Sequence, residues 1–479
     1  MEFSKHKILH SFVWKLSERF SVQGISFIVS ICLARLLRPS EYGEIALIMV
    51  FINIANVIID GGLNTALIQK KDANKTDFST IFYATMVASL LIYVILFLSA
   101  PAIASFYSQP SLDYVIKVVG TCLFAYAFNS IQRAYISKHM LFKNLFLSSL
   151  LSTIIAGAIG IVLAYRGYGI WALVYHYIAS GYIMALVMFV TVKWRPDLSF
   201  SLASFKTLFD YGWKIFLSNF MISLFVNIRS LIIGKFYTPA YLAYFERGKQ
   251  MPTLIMENIN TSIQTVLFPV FSAQQGNLQQ IRNMVSRSIK TSSLIIFPLL
   301  VGLFVTAKPL IITMLTEKWL TAVPFVQIFC IAYLFMPLQI ANLEAMKAIG
   351  RSDIFLKLEM IKKVLEVSIL VISVFINVYA IAIGVAIYNF LCIFINTYPN
   401  KKLIGYTTRQ LWTDIYPPLL ASAAMGGLVF FLTYLPLGNL AILSLQVITG
   451  IIIYLAICVM FKLESFTYIR ETILKKRDK

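Results

Sequence analysis

Cysteine, histidine and acidic residues are all scarce in this chain of 479 residues, which has five cysteines, four histidines and 21 aspartates and glutamates. The cysteines lie in apolar stretches without a CxxC pair, which argues against a disulfide framework and against a zinc site. His139 and His176 are isolated, so we assign them neither a metal nor a catalytic role. Neither GxxxxGK followed by Ser or Thr nor HExxH occurs, and we expect no nucleotide, metal or other cofactor.

Charged residues make up only 13% of the chain, whereas 59% of it is hydrophobic. An ordinary soluble domain is roughly 45–50% apolar, so the composition predicts a membrane protein. The formal net charge of +20 comes from Lys and Arg in the gaps between apolar segments, and they form no basic patch interleaved with aromatic residues. Positive-inside topology explains them better than nucleic-acid binding does. The start of the chain lacks a small-residue cleavage pattern, which indicates a retained first helix with a cytoplasmic N-terminus.

Apolar segments long enough to cross a membrane, about 20 residues each, recur about fourteen times. When the N-terminus is placed in the cytoplasm, most Lys and Arg fall in the inner connections, and Arg229 is left inside a span. We therefore predict an all-α polytopic membrane protein with about 14 transmembrane helices and both termini cytoplasmic. Twelve spans with two re-entrant segments is the alternative, because the stretch from Leu242 to Phe271 is polar for a membrane helix.

A proline-containing interruption of the apolar sequence occurs twice. The first lies in "ARLLRPSEYGEIALIMVF" and the second in "IGKFYTPAYLAYFERGKQ", and Pro239 follows Pro39 by 200 residues. Proline favours a turn there because it forces the preceding residue out of helical geometry. Internal repeats of this kind are common in transporters. We predict an N-terminal lobe of helices 1–6 (residues 1–200), a C-terminal lobe of helices 7–12 (201–400), and two extra helices with a basic cytoplasmic tail (401–479).

Polar residues with helical spacing form a stripe on four predicted helices, two in each lobe. The stripes of spans one and two are Arg19, Gln23, Ser26 and Ser30, and Asn53, Asn56, Asp60 and Asn64. The corresponding positions of spans seven and eight are Asn219, Ser223, Val226 and Ser230, and Thr253, Glu257, Asn260 and Gln264. Lipid offers such groups no hydrogen-bond partners, so the stripes face either a water-filled cleft or a dry helix bundle. The ionisable members favour the cleft, because each costs roughly 2.5–3.5 kcal/mol at a helix centre.

Five stretches of the sequence carry a resemblance to a known family: "ARLLRPSEYGEIAL", "DGGLNTALIQKKD", "FPVFSAQQGNLQQIRNM", "AVPFVQIFCIA" and "AIGRSDIFLKLE". They resemble bacterial polysaccharide exporters of the Wzx flippase type, in the multidrug/oligosaccharidyl-lipid/polysaccharide superfamily. The resemblance implies two pseudo-symmetric six-helix lobes plus two C-terminal helices in the bacterial cytoplasmic membrane. It also implies the flipping of undecaprenyl-pyrophosphate-linked oligosaccharides to the outer leaflet for O-antigen, capsule or exopolysaccharide synthesis, with a glycan polymerase and export machinery as further partners.

A lipid-linked pyrophosphate needs a wet, cationic path, and guanidinium groups donate to phosphate in a fixed fork. We predict phosphate contacts for Arg19 and Arg229, with snorkelling or pairing with Glu18 as the alternative for Arg19 and a structural ion pair as the alternative for Arg229. For the basic pair at the outer turns we predict head-group attraction, or interfacial anchoring. The substrate-binding candidates are Arg19, Arg229, Arg35, Lys235, Asn53, Asn64, Asn219, Asn260 and Gln264. Asp60 and Glu257 are the candidates for H⁺ or Na⁺ coupling, with a structural hydrogen-bonding role as the alternative. Glu344 and Lys347 are expected to form a local ion pair.

Three rival functions are compared with polysaccharide export. A drug or cation antiporter of the same superfamily needs an acidic cavity, whereas the predicted interior has at least as many arginines as carboxylates. A lipid II flippase shares the fold, the carrier and the charge pattern, and the sequence does not separate it. An intramembrane glycan polymerase or glycosyltransferase usually needs a sizeable outer loop, and the predicted outer connections are short. We predict a transporter and not an enzyme.

Overall fold

The computed structural model describes residues 5–274, 276–467 and 470–471, and within these ranges all regular structure is helical. The chain forms two compact units, Met1–Ala243 and Tyr244–Lys479, called the N-terminal and C-terminal units below. The helices are α1 (Lys5–Leu36), α2 (Pro39–Asp60), α3 (Leu63–Gln69), α4 (Lys75–Phe106), α5 (Ser111–Gly120), α6 (Cys122–His139), α7 (Phe142–Tyr165), α8 (Ile170–Thr191), α9 (Leu202–Phe236), α10 (Pro239–Ser272), α11 (Leu278–Leu315), α12 (Val323–Leu334), α13 (Met336–Ala348), α14 (Ser352–Val374), α15 (Val378–Leu403), α16 (Thr408–Phe431) and α17 (Asn439–Met460).

Twelve helical stretches in the described ranges are long and apolar enough to cross a membrane. They confirm the predicted all-α polytopic class. Two further long helices, α10 and α14, are not among the twelve, and both carry several charged residues in their sequences. The predicted total of fourteen spans requires that α10 and α14 also cross the membrane. That total therefore stays a prediction.

The two proline-containing turns have the same structure. Helix α1 ends at Leu36 and α2 begins at Pro39, while α9 ends at Phe236 and α10 begins at Pro239. Proline suits the first position of a helix because a backbone N–H at that position would have no acceptor within the helix, so its absence costs nothing. The fixed φ of proline also matches the helix. The predicted turns are therefore confirmed at both places, and the two copies keep the spacing of 200 residues.

The predicted second span is not one continuous helix. Gly61 and Gly62 have φ values of +54° and +71°, a left-handed conformation that favours glycine, and they end α2 at Asp60. The prediction that Asn64 shares a helix with Asn53 and Asp60 is therefore wrong, because Asn64 lies on the separate short helix α3. The predicted fourth and tenth spans are also divided, into α5 and α6 and into α12 and α13, but without a left-handed residue at either break.

Helix α9 packs against α2, α3 and α4 of the N-terminal unit. The contact with α9 is close where two glycines face each other, because a Cβ on Gly62 would overlap the carbonyl oxygen of Gly212. A Cβ on Gly43 of α2 would likewise overlap the carbonyl oxygen of Pro239, the first residue of α10. The compact units consequently divide after Ala243. The predicted boundary between residues 200 and 201 describes the sequence repeat and stays a prediction.

Apolar side chains form the interior of each unit. In the N-terminal unit, the rings of Phe78 and Phe82 pack at an angle against Trp194. They share one buried cluster with Ile131 and Leu208, which joins α4, α6 and α9. In the C-terminal unit, α11 packs against α12, α13, α16 and α17, so the last two helices belong to that unit. A fixed helical frame in each unit therefore holds the polar side chains described next.

Candidate functional site

A cavity of about 360 Å³ lies among α2, α3, α6 and α8 of the N-terminal unit and is called the polar cavity below. Its volume falls within the range of about 300–1,000 Å³ that is typical of small-molecule sites. Its apolar wall includes Met49, Ile52, Ile68 and Met184. Its polar lining consists of Asn56, Asn64, Tyr126, Asn129, Ser130, Arg133, Ser137, Tyr177 and Ser180. Side-chain amides and hydroxyls therefore dominate the polar surface.

Three amide oxygens of the polar cavity lack a hydrogen-bond donor within the described part of the chain. The Nδ2 of Asn129 donates to the Gly181 carbonyl oxygen at 3.0 Å, which joins α6 to α8. Its buried Oδ1 has no partner, and the same holds for the Oδ1 atoms of Asn56 and Asn64. A buried acceptor left unsatisfied costs about 1–3 kcal/mol, so these oxygens need donors from water or a ligand.

Arg133 supplies the positive charge of the polar cavity. Its Nη2 lies 3.2 Å from the Met184 sulfur, a weak acceptor, and the described ion pairs do not include this guanidinium. Asp60 lies next to the lining, because its Oδ1 accepts a hydrogen bond from the lining residue Asn64. The site therefore combines a cation, an acid at its edge and several neutral acceptors.

Arg133 was not predicted from the sequence, because it lies outside the polar stripes of spans one, two, seven and eight. The residue lies on α6, inside the membrane-crossing candidate Ser111–His139. Arg229 is therefore not alone among basic residues within a predicted span. The spacing of Asn129, Arg133 and Ser137 at intervals of four was the available signal.

The structure brings two predicted site residues together at the polar cavity. The Nδ2 of Asn64 donates a hydrogen bond to Oδ1 of Asp60, although the two residues lie on different helices. Asn64 lines the cavity beside Asn56, another member of the predicted stripe. Asn53, one turn earlier on α2, is exposed and lies outside the lining.

The other predicted residues of the N-terminal unit lie outside the polar cavity lining. Arg19, Arg35 and Asn219 are exposed, and Arg229 is half-buried beside the buried Ser230. Lys235 donates to the Phe106 carbonyl oxygen, and its ammonium lies 4.2 Å from the centre of the Phe106 ring. This contact with the end of α4 resembles an interfacial anchor.

The predicted residues of the C-terminal unit form no comparable site in its described part. Glu257 and Gln264 are exposed on α10, and Asn260 is half-buried. Glu344 and Lys347 form the expected local ion pair, with 2.9 Å between Oε1 and Nζ.

The larger cavity of the C-terminal unit, about 970 Å³, lies beside Lys290. Lys290 Nζ is 3.6 Å from Asp414 Oδ1 and 2.5 Å from Glu464 Oε2. Ser286 and Tyr406 donate to Asp414 Oδ2 at 2.6 and 2.7 Å. Because these charges and acceptors already satisfy one another, the network ties α11 to α16 and to the segment after α17.

His139 and His176 make hydrogen bonds with backbone carbonyls. A ring nitrogen of His139 lies 2.9 Å from the Tyr135 carbonyl oxygen, and one of His176 lies 3.0 Å from that of Ala156. No group of three or more His, Cys, Asp and Glu residues suited to a metal ion occurs among the described residues.

The fold is that of membrane transporters. Over 94% of this chain and 98% of the other, it is similar to the lipid II flippase MurJ in an inward closed conformation, with a TM-score of 0.73 and 14% identity. It is also similar to an inward-facing multidrug resistance MATE family transporter of the MOP superfamily, with a TM-score of 0.62, 16% identity, and 80% and 94% of the two chains covered. At these identities the similarity shows the fold alone.

Residues 32–324, more than half of the chain, match the family described as "Polysaccharide biosynthesis protein", and the chain belongs to this family. It is 25% identical to the teichuronic acid biosynthesis protein TuaB of Bacillus subtilis, over 78% of both chains. It is 23% identical to the lipopolysaccharide biosynthesis protein WzxC of Escherichia coli, over 88% of both. These findings confirm the resemblance to Wzx-type exporters, and the protein is a multi-pass membrane transporter and not an enzyme.

Proposed function

We propose that this transporter flips oligosaccharide units linked to undecaprenyl pyrophosphate from the inner to the outer leaflet of the bacterial cytoplasmic membrane. The exported units supply a cell-surface polysaccharide such as O-antigen, capsule or exopolysaccharide. The observation that carries the proposal is the polar cavity inside a membrane-spanning unit of a chain from a polysaccharide biosynthesis family. Amide and hydroxyl groups at this depth offer hydrogen bonds that lipid does not provide.

The cargo has two chemically different parts. Its sugars present hydroxyl groups, which suit the amide oxygens of Asn56, Asn64 and Asn129. Its pyrophosphate is anionic, and Arg19 and Arg229 are proposed to contact it during alternating access between the two sides of the membrane. An acidic cavity of the kind that attracts cationic drugs does not match this set of side chains.

Energy for transport is proposed to come from a proton or sodium gradient. Asp60 lies at the edge of the polar cavity and accepts a hydrogen bond from Asn64, so a change in its charge alters that contact directly. Glu257 on α10 is the second proposed coupling group. Ionisable groups inside membrane proteins commonly serve in such relays.

The proposal is tested by deleting the gene in the source strain and measuring two quantities. Loss of a flippase predicts that surface polysaccharide falls while the lipid-linked oligosaccharide accumulates. The wild-type gene and an Arg166→Gln control, changed at an exposed turn outside the polar cavity, restore surface polysaccharide. A deletion that leaves surface polysaccharide normal and causes lipid II to accumulate would instead identify a lipid II flippase.

A further inference from the structure

We infer that the polar cavity is a subsite for one hydroxyl-rich sugar residue of the cargo and excludes the pyrophosphate. The inference rests on the proposed function, because it takes a lipid-linked glycan as the cargo. It assigns the sugar-reading contacts to the N-terminal unit, with Asn56, Asn64 and Asn129 as acceptors and Arg133 as a donor.

The acceptors determine the chemical class of the ligand. The Oδ1 atoms of Asn56, Asn64 and Asn129 are buried and lack a donor among the described residues. Asn129 is 6% exposed, and its position is fixed because its Nδ2 is bonded to the Gly181 carbonyl. All three residues line the same cavity, and their acceptors match a ligand with several O–H donors, such as a pyranose ring with hydroxyls around its edge.

The same acceptors disfavour pyrophosphate. Phosphate oxygens accept hydrogen bonds and carry negative charge, so they gain nothing from amide oxygens and are repelled by the nearby Asp60. The opposing attraction is the guanidinium of Arg133, which lies 3.2 Å from the Met184 sulfur. A sugar hydroxyl can donate to an amide oxygen and accept from a guanidinium N–H at the same time. One arginine among several acceptors therefore fits a sugar.

The shape of the cavity also fits a sugar. Its volume of about 360 Å³ is many times the roughly 30 Å³ that one water occupies in the liquid. Tyr126 and Tyr177 add aromatic surface beside the amides, and Ile52 and Met184 add apolar surface. A sugar ring presents both apolar C–H faces and polar edges, so it matches this mixed wall better than a compact anion does.

The test compares binding of two ligands to the purified full-length protein in detergent micelles. One is the lipid-linked oligosaccharide that accumulates in the deletion strain, and the other is undecaprenyl pyrophosphate without sugar. The wild type binds the glycosylated lipid more tightly. Asn56→Leu weakens this binding by roughly three- to tenfold, the effect of one lost hydrogen bond, and leaves binding of the bare carrier unchanged.

Thermal stability separates a binding role from a structural one. Asn56 makes no described hydrogen bond, so Asn56→Leu removes an unsatisfied buried acceptor, and the melting temperature is expected to stay the same or rise. Gln132→Met is the matched control, because Gln132 is fully buried with two unpartnered polar atoms but lies outside the cavity lining. It should raise stability and leave both ligands' binding unchanged.

Four results decide the matter. Equal weakening of both ligands by Asn56→Leu would place the pyrophosphate at the cavity and overturn the inference, as would unchanged binding of both. Equal affinity of the wild type for the two ligands overturns the subsite while the flippase proposal stands. A wild-type protein that binds neither ligand contradicts the flippase proposal itself.

Discussion

Replacement of Gly62 by alanine tests the contact that positions α3 and the polar cavity. Gly62 has a φ of +71°, and a Cβ there would lie 3.0 Å from the Gly212 carbonyl carbon and 3.1 Å from the Phe216 nitrogen. A left-handed conformation costs an L-residue about 1–2 kcal/mol. Overpacking against backbone atoms adds about 1–3 kcal/mol. Gly62→Ala should therefore destabilise the protein by about 2–5 kcal/mol and disturb the Asp60–Asn64 contact.

Two other glycines separate these two costs. Gly167 has a φ of +81° with open space around a Cβ, so Gly167→Ala should show the conformational cost of about 1–2 kcal/mol alone. Gly24 lies within α1, also with open space, so Gly24→Ala should stabilise its helix by about 0.5–1 kcal/mol. The assay is thermal unfolding of detergent-purified protein, combined with surface polysaccharide in complemented cells. Equal melting temperatures for Gly62→Ala and Gly167→Ala would refute the close approach of α9 to Gly62.

The remaining predictions concern topology, coupling and phosphate binding. Reporter fusions after Lys143 should give a cytoplasmic signal and those after Gln109 an outside signal, and the reverse pattern would contradict the proposed orientation. Asp60→Asn and Glu257→Gln should separate export from its dependence on pH or sodium, whereas unchanged dependence in both variants would return these acids to a structural role. Arg229→Ala should abolish export at normal membrane abundance and Arg229→Lys should retain part of it, because lysine keeps the charge but loses the bidentate geometry. Normal export by a well-expressed Arg229→Ala variant would remove Arg229 from the proposed phosphate contacts.

Local signals predicted the membrane class and the repeated turn. The hydrophobic composition of a segment indicates whether a whole helix lies in a membrane. A proline at the first helical position constrains only its immediate neighbours, so Pro39 and Pro239 predicted the two turns without knowledge of tertiary contacts. The break after Asp60 had an equally local signal in Gly61 and Gly62, which were placed inside a predicted helix. Two adjacent glycines with positive φ override the polar stripe that continues across them.

The polar cavity was beyond prediction from single helices. Its lining combines side chains of α2, α3, α6 and α8, and helical periodicity describes one helix face without specifying its neighbour. Asn56 and Asn64 were identified as polar positions, but their proximity to Arg133 depends on packing between helices. The position of α9 against α2 and α3 likewise depends on the close contact between Gly62 and Gly212.

Leaflet translocation in proteoliposomes tests the central claim most directly. The lipid-linked oligosaccharide from the deletion strain is placed in vesicles containing the purified protein, and its sugars are assayed for exposure to an external, membrane-impermeant glycosidase. The account predicts faster movement between leaflets than in protein-free vesicles, and slower movement with Asn56→Leu than with Gln132→Met. The contradicting result is that folded wild-type protein moves the lipid-linked oligosaccharide between leaflets no faster than protein-free vesicles do, under pH and sodium gradients imposed in either direction.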